Sequence, residues 1–488
     1  MRRIPFRRFA PLLLIFLVAC SSLGLGSQSG GNRIVTPAPL PRATATPGAT
    51  DQATPVSGGV ARVRGEGLAS SDLYSAYRAL LDTYVDPVDG GQLIRAATDS
   101  LRKSVGDEVG LPMMTMPIQL VPPPTGNPER DWQAFGDAYD ALISKNQSWA
   151  QQAHPDWVVL RGMVASLNDG HTTFLTPDEA RRRQETSFAG IGVLLSRPQD
   201  DQPPLIAEIF PNSPAAGSGL KRGDRILAVD GNDVTGKSVQ DIAQLIRGPA
   251  RTEVKVRVKR LSAQAPLDYT LRRAQVQVEQ VIGRQVPNAP IGYLRIRGFN
   301  DDTVVQQVLG ILDQGRQRGL RGWVVDLRGN PGGSLRAVLG AGAGFFDPEH
   351  SVLGYQVDRQ RHQTPLETQP ANLTNGLAVI LLVDHDSASG AEILAAAMQE
   401  ANVARLVGTR TAGNVGVATQ ITLPDDSVLQ VTEQRFVSPG GAQLDGVGVT
   451  PDVVVEMTDE DLENDRDPQL ARALDLVVQQ ITAQQHGG

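Results

Sequence analysis

The segment GLAVILLVDHDSASGAEILAAAM, from Gly376 to Met398, joins an apolar run to a Ser/Ala/Gly turn and then to an Ala-rich run. The first run predicts a buried strand and the last a helix, so the turn presents Ser389 at a helix N-terminus. A hydroxyl beside the N–H groups of a first helical turn is well placed as a nucleophile for acyl transfer. The segment alone equally fits an ordinary turn in which Asp386, Ser387 or Ser389 caps the helix.

The length and composition of the chain exclude several classes of protein. Its 488 residues are too many for one compact core, so we expect two or three domains. Hydrophobic residues make up 40% and charged residues 20%, as in ordinary globular proteins. A net charge of -7 without a basic, aromatic-interleaved stripe does not predict nucleic-acid binding. No His-x-x-x-His pair or carboxylate cluster predicts a metal site, and no cofactor is expected.

The N-terminus has the pattern of a bacterial lipoprotein signal. Arginines within the first eight residues precede the apolar run Pro11 to Ala19, which is short for a membrane span and typical of a secretory signal. The sequence LVAC ending at Cys20 resembles a lipobox, which implies that residues 1–20 are a signal and that Cys20 carries lipid. The alternative is a soluble secreted protein. Cys20 is the only cysteine, which excludes an intramolecular disulfide. Residues 21–65 lack large apolar side chains and predict a flexible tether.

Residues 66–187 predict a helical N-terminal region. Apolar side chains recur there at helical spacing in four stretches. Between them, Gly106 to Arg130 is rich in proline and has no apolar period, so we expect a long loop or flap. The predicted helices cover residues 72–84, 91–105, 131–143 and 157–167.

Residues 188–275 predict a separate unit of short strands and turns. The unit resembles a PDZ domain, notably in FPNSPAAGSGLKRGDRILAVDGNDV at Phe210 to Val234. The resemblance implies that Gly190, Ile191 and Gly192 form the loop whose N–H groups bind a chain-terminal carboxylate, while the next strand pairs with the peptide. The implied partners are unstructured protein C-termini. The alternative is a small β-barrel without a ligand.

Residues 276–457 alternate between predicted strands and helices, which indicates an α/β domain. A strand at 322–326 runs into the Gly-rich turn LRGNPGG, which ends at Gly333. Such a turn lets a ligand approach the backbone closely, but no Lys-Ser/Thr pair follows it, so a P-loop is not expected. Further strands are predicted at 291–296, 377–383 and 404–407, and helices at 302–318, 334–344 and 391–400.

Four ordered motifs of this chain resemble the carboxyl-terminal processing peptidases, also called tail-specific proteases. They are DLRGNPGG at 326–333, DSASGAEI at 386–393, VGTRTAG at 407–413 and DGVGVTPD at 445–452. The resemblance implies a multidomain α+β chain with an α/β, ClpP/crotonase-like core in which Ser389 is the nucleophile. It also implies an oxyanion hole of backbone N–H groups from Gly332, Gly333 and Gly390.

The chain departs from this family at the general base. The resemblance aligns the usual catalytic lysine with Asn414, whose amide cannot accept the serine proton. Relatives of the tricorn type place a histidine in the upstream segment, which implies His171 as base and Asp445 as its orienting acid. Asp169 is an alternative acid, and a structural role for His171 is the alternative to a catalytic one. His385 is a weaker candidate base.

The sequence therefore predicts an extracytoplasmic serine endopeptidase, anchored to the cell membrane by lipid, that binds protein C-termini and cleaves nearby. The alternative is a protease fold that has lost its lysine and acts as a peptide-binding adaptor. Residues 458–488, an acidic stretch and an amphipathic helix, are expected to dock on the body or on another subunit. The oligomeric state is not predicted.

Overall fold

The computed structural model describes residues 67–109, 121–184, 187–197 and 202–486. The predicted signal, its Cys20 and the tether at 21–65 lie outside these residues. Within them the chain forms a helical region, a small β domain and a larger domain of mixed sheet and helix, which confirms the predicted fold class. No helix in the described ranges combines the length and the apolar character that crossing a bilayer requires.

The first region is a helical layer with one apolar core. Tyr77, Trp132 and Phe135 pack in succession, with ring centroids 5.1 and 5.3 Å apart. The same core includes Leu429 and Val431 of the larger domain, so the helices are fixed against it. The elements are α1 (Ser70–Thr83), α2 (Gly90–Val109), α3 (Pro128–Lys145), α4 (Gln147–Ala153), α5 (Pro155–Ala165), β1 (Thr173–Leu175) and α6 (Pro177–Gln184).

The loop expected at 106–130 is shorter than the sequence suggested. Residues 106–109 complete α2 and residues 128–130 begin α3, where Asn127 caps the helix by accepting the N–H of Arg130 at 2.8 Å. Residues 110–120 lie outside the described residues. The earlier start of α3 has an ordinary cause, since a proline at the first turn starts a helix rather than ending one.

The β domain is an antiparallel sheet in the order β3-β4-β5-β7-β8, with one helix. The strands predicted at 205–209, 225–229 and 253–259 are confirmed. Strand β3 is an edge strand, as strand addition of a peptide would require. The elements are β2 (Ser187–Gly190), β3 (Val193–Ser196), β4 (Leu205–Ile209), β5 (Arg225–Val229), β6 (Asn232–Asp233), α7 (Val239–Ile246), β7 (Glu253–Lys259), β8 (Leu267–Arg272) and β9 (Ala274–Gln277), which pairs with β2.

The larger domain has two sheets. One is mainly parallel, in the order β10-β11-β12-β15-β16-β19, and the other contains β13, β14, β17 and β18 together with β1 of the helical region. The elements are β10 (Val281–Gln285), β11 (Ile291–Ile296), α8 (Asp302–Gln317), β12 (Gly322–Asp326), α9 (Leu335–Gly342), β13 (Val352–Val357), β14 (Gln363–Glu367), β15 (Ala378–Val383), α10 (Gly390–Glu400), β16 (Arg405–Gly408), β17 (Gly416–Thr422), β18 (Val428–Val437) and β19 (Val453–Val454).

Two features of this domain position the site. Strands β12 and β15 are buried along their whole length and run parallel, so the turns that follow them meet at one edge of the sheet. Strand β1 pairs with β18, with Thr173 opposite Gln430, and this places the loop before β1 next to the hairpin β17–β18. This hairpin is not among the elements predicted from the sequence.

The C-terminal segment packs on the body of the same chain. Helix α11 (Asp459–Glu463) lies on the β domain, where Asp459 makes a bidentate ion pair with Arg225. Helix α12 (Pro468–His486) covers the face of the parallel sheet opposite α8 and contributes Val477 to the apolar cluster around Ile380.

Candidate active site

Ser389 lies at a strained turn between β15 and α10. Its φ of 52° and ψ of -117° are sparsely populated by residues other than glycine, and such strain is stored mainly at functional sites. The buried hydroxyl of Ser387 holds the turn by donating to the carbonyl of Leu327 at 2.9 Å. The N–H of Ala388 donates to the carbonyl of Asn330 at 2.9 Å. Both bonds tie the serine turn to the Gly-rich turn after β12.

The Gly-rich turn packs directly against Ser389. A methyl group built on Gly332 would lie 2.7 Å from both the Ser389 Cβ and the Gly390 nitrogen, so only glycine allows this contact. Asn330 is fully buried and shapes the turn, since its amide donates to the carbonyl of Ile296 at 2.9 Å.

The three predicted oxyanion donors differ in whether their N–H groups already have a hydrogen-bond acceptor. The N–H of Gly332 already donates to the side-chain oxygen of Asn330 at 2.8 Å, so it is not available to a ligand. The N–H groups of Gly333 and Gly390 have no hydrogen-bond acceptor among the described residues. The arrangement therefore leaves two backbone donors near Ser389 without an acceptor, and an oxyanion hole is built from such donors.

A buried carboxylate connects the serine turn to the segment Thr411 to Asn414. Glu392 is fully buried and accepts the N–H groups of Ser389, Gly413 and Asn414 at 3.1, 2.7 and 2.9 Å. From the sequence, Glu392 is expected only to suit the helix dipole as a carboxylate in the first turn. A signal for a further role was present, because Ser389 and Glu392 have the spacing of a capping box.

His171 lies in the loop before β1 and is 8% exposed. Its Nε2 atom is buried and has no hydrogen-bond partner among the described residues. A buried polar atom without a partner costs free energy, which marks this ring as poised for an interaction rather than satisfied. A methyl group on Gly416 would lie 3.0 Å from the Cδ2 atom of His171, so the ring packs closely on the start of β17.

Asp169 supports the His171 loop. One carboxylate oxygen accepts the backbone N–H of His171 at 3.0 Å, and the other accepts the hydroxyls of Thr172 and Thr432 at 2.6 and 2.5 Å. Burial acts to raise the pKa of Asp169, but these hydrogen bonds outweigh it and hold the pKa below its usual value. The carboxylate therefore stays ionised beside the imidazole.

Asn414 stands between Ser389 and the His171 loop. Its carbonyl accepts the N–H of Ser389 at 2.9 Å, while a methyl group on Gly170 would lie 2.8 Å from its side-chain oxygen. His171, Asn414 and Asp445 all line one cavity of about 460 Å³. The structure thus gathers His171, Asn414 and Asp445 around a common space, but Ser389 is not among the residues that line it, and no hydrogen bond joins the Ser389 hydroxyl to His171 among the described residues.

Asp445 makes a different contact from the predicted one. Its carboxylate pairs with Arg435 at 3.6 Å, and Arg435 also contacts Asp86. No hydrogen bond joins Asp445 to His171 among the described residues. The sequence could not show this pairing, because Arg435 reaches the cavity from the unpredicted hairpin.

His385 is engaged elsewhere. Its Nε2 atom lies 3.0 Å from the hydroxyl of Ser196 in β3 and 3.2 Å from the carboxylate of Asp386. Burial acts to lower the pKa of His385, but the Asp386 carboxylate raises it above the usual value. His385 therefore links the β domain to the serine turn.

The predicted carboxylate-binding loop lies before β3. The N–H groups of Ile191 and Gly192 have no hydrogen-bond partner among the described residues, whereas the carbonyl of Gly192 accepts the N–H of Phe210 at 2.9 Å. Gly192 has a φ of 78°, and a methyl group there would lie 2.2 Å from the Cβ of Ser213. The carbonyl of Gly192 thus anchors the loop, while the N–H groups of Ile191 and Gly192 are left without an acceptor among the described residues. The described ranges contain no group of three or more His, Cys, Asp or Glu residues able to hold a metal.

Comparison with known proteins gives two family matches. Residues 290–455 match the model of peptidase family S41, and residues 205–260 match that of a PDZ domain. A carboxyl-terminal-processing protease of Synechocystis sp. is 30% identical over 375 residues, which cover 72% of this chain and 86% of the relative. A carboxy-terminal-processing protease of Bartonella bacilliformis is 28% identical over 330 residues, covering 66% of this chain and 74% of the relative.

A solved structure shares the fold. The photosystem II D1 C-terminal processing protease has a TM-score of 0.53 and 22% identity, covering 79% of this chain and 93% of that one.

Proposed function

Because this chain belongs to the carboxyl-terminal-processing protease family, we propose that it is a serine endopeptidase in which Ser389 attacks the peptide carbonyl. The observation that carries the proposal is the strained Ser389 turn, packed on Gly332 beside the two available N–H groups of Gly333 and Gly390. This is the local geometry that acyl transfer requires, a presented hydroxyl and preorganised donors for the oxyanion.

In this proposal His171 is the general base. Asn414 has no basic nitrogen, whereas the buried Nε2 of His171 has no hydrogen-bond partner among the described residues, and the His171 ring packs on Gly416, two residues after Asn414. Two carboxylates can orient the ring. Asp445 lines the same cavity but pairs with Arg435, while Asp169 accepts the backbone N–H of His171 and not a ring N–H, so both carboxylates stay candidates for the orienting acid.

The reaction then follows an acyl-enzyme route. His171 accepts the Ser389 proton as the oxygen bonds to the carbonyl carbon, and the N–H groups of Gly333 and Gly390 stabilise the oxyanion. The imidazolium donates its proton to the leaving amine, and the C–N bond breaks. Water, deprotonated by His171, then hydrolyses the ester and restores Ser389.

The PDZ domain supplies the substrate class in this proposal. Edge strand β3 and the unpartnered N–H groups of Ile191 and Gly192 support the binding of an extended chain with a terminal carboxylate. We propose that unstructured protein C-termini bind there. Binding of a peptide with a free carboxylate, and loss of binding when that carboxylate is amidated, would support this step, whereas equal binding of both peptides would contradict it.

We also propose that the protein acts outside the cytoplasm on a lipid anchor at Cys20, which rests on the sequence pattern alone. Metabolic labelling with a fatty acid should mark the full chain, and Cys20→Ala should abolish the label. A label that persists in Cys20→Ala would contradict the anchor.

One observation favours a second function, that of a peptide-binding adaptor. Asn414 occupies the place of the family's lysine, so catalysis depends wholly on another base. Labelling with a serine-directed phosphonate separates the two functions. If the protein is a protease, the unmodified chain is labelled and Ser389→Ala is not. Labelling of His171→Ala is then slower by about 10²–10⁴-fold, and Asn414→Ala is still labelled. Undiminished labelling of His171→Ala refutes that base, and no labelling with intact peptide binding favours the adaptor.

A further inference from the structure

The structure assigns to Glu392 the role of a positioning residue that fixes Ser389 relative to the base loop. This inference rests on the proposed function, because it concerns the same nucleophile. Glu392 touches neither the substrate nor the reacting atoms in the route described above. It acts through the backbone of Ser389 and of the segment Thr411 to Asn414.

The carboxylate of Glu392 is a four-donor junction. Its Oε2 accepts the N–H groups of Ser389 at 3.1 Å and Asn414 at 2.9 Å. Its Oε1 accepts the N–H of Gly413 at 2.7 Å and the hydroxyl of Thr411 at 2.5 Å. A buried charge is tolerated when hydrogen bonds satisfy it, and no ion pair to Glu392 occurs among the described residues.

The junction reaches both halves of the site. On one side it holds the N–H of Ser389, the residue with the strained backbone. On the other it holds the loop whose side chain, at Asn414, abuts Gly170 next to His171. Thr411 extends the network, since its hydroxyl accepts the N–H of Val449 at 2.7 Å.

A glutamine at this position cannot replace the carboxylate. Each oxygen of Glu392 accepts two hydrogens, so an amide leaves its NH₂ group facing either Ser389 and Asn414 or Gly413 and Thr411. In the first orientation two backbone donors meet another donor. In the second orientation the N–H of Gly413 meets the NH₂ group, which is also a donor, while the Thr411 hydroxyl can rotate and accept a hydrogen bond instead. Either mismatch shifts the serine turn relative to the base loop.

The test compares Glu392→Gln with the matched control Glu400→Gln. Glu400 lies on the same helix and also accepts a loop hydroxyl and a loop N–H, from Ser438 at 2.6 Å and Gly440 at 2.5 Å, but away from Ser389. Peptide hydrolysis and phosphonate labelling are measured per folded molecule, with thermal unfolding recorded for each protein. We expect Glu392→Gln to lower kcat and the labelling rate together by about 100-fold at unchanged KM, since misplacement of about 1 Å has that effect. Glu400→Gln should leave both rates unchanged.

Unchanged kcat in Glu392→Gln, or a loss explained entirely by unfolding, would overturn the inference. Ser389→Ala is measured in parallel. If Ser389→Ala stays active, the proposed nucleophile fails; if it is inactive while Glu392→Gln is fully active, only the role of Glu392 fails. Should Glu392→Gln not fold, Thr411→Val removes one donor to Glu392, together with the acceptor of the Val449 N–H, with little change of shape. It should then lower the labelling rate by about 10-fold, and an unchanged rate would again overturn the inference.

Discussion

Adding one methyl group to Gly416 tests the placement of His171 without removing any catalytic side chain. In Gly416→Ala the new carbon would lie 3.0 Å from Cδ2 and 3.2 Å from Cγ of His171. Carbon atoms in favourable contact are about 3.5–4.0 Å apart, so the ring must move by up to about half an ångström. The Thr432 methyl group, 3.1 Å from the new carbon, must also give way. Gly416 begins strand β17 and does not have a positive φ, so its backbone accepts alanine.

The expected effect on catalysis exceeds the effect on stability. A shift of this size should lower kcat by about 10- to 100-fold, because proton transfer depends steeply on placement. Overpacking at one contact costs about 1–3 kcal/mol, which leaves a domain of this size folded. The assay is peptide hydrolysis, with unfolding measured by heat.

The matched control is Gly217→Ala, where the added methyl group meets no atom within 4 Å. This variant should keep full activity and stability. If Gly416→Ala is folded and hydrolyses peptides at the rate of the unmodified protein, His171 is not the group that removes the serine proton.

The remaining predictions concern pH, charge and the missing lysine. The pKa of His385 is raised in the folded state by its bond to Asp386. The bond therefore stabilises the protein fully below the unfolded-state pKa, and this stabilisation disappears as pH rises through the folded-state pKa. Thermal unfolding between about pH 5 and 8 should show the decrease in stability, and Asp386→Asn should abolish this pH dependence. Arg328→Leu should lower the free energy of unfolding by about 3–5 kcal/mol, because it leaves the buried Asp326 carboxylate without its paired cation, whereas Arg316→Leu, which breaks an exposed pair with Asp313, should leave the free energy of unfolding nearly unchanged; urea unfolding measures both. Asn414→Lys should restore phosphonate labelling to His171→Ala, since it returns an amine to the family's usual place; a double variant as slow as His171→Ala would show that the loop no longer accommodates a lysine base.

The sequence predicted the parts of the fold that depend on strong local patterns. The strand before Ser389 is an uninterrupted apolar run, and the strand Leu205–Ile209 is bounded by turn residues. Both could therefore be assigned without knowing which strands they pair with. The hairpin β17–β18 was missed because its strands are rich in polar residues such as Gln420 and Gln430, which the neighbouring helices cover only in part.

The candidate site could be predicted only in part for a similar reason. The motifs indicated Ser389 and its glycines, but the use of the Gly332 N–H by Asn330 and the pairing of Asp445 with Arg435 depend on how turns and hairpins close in space. Glu392 was recognisable as a capping residue, yet its bonds to Gly413 and Asn414 arise from a loop that follows β16. Spacing along the chain indicates which residues are neighbours on a helix, and says little about distant loops.

The pairing of β1 with β18 has a consequence for the timing of activity. Thr172 and Thr432, which meet beside Asp169, are 260 residues apart, and the whole PDZ domain is folded between them. A polypeptide synthesised only as far as Ser389 therefore lacks strand β18, against which the loop of His171, the proposed base, is held. Such a chain should be unable to digest itself or its neighbours until both ends have come together.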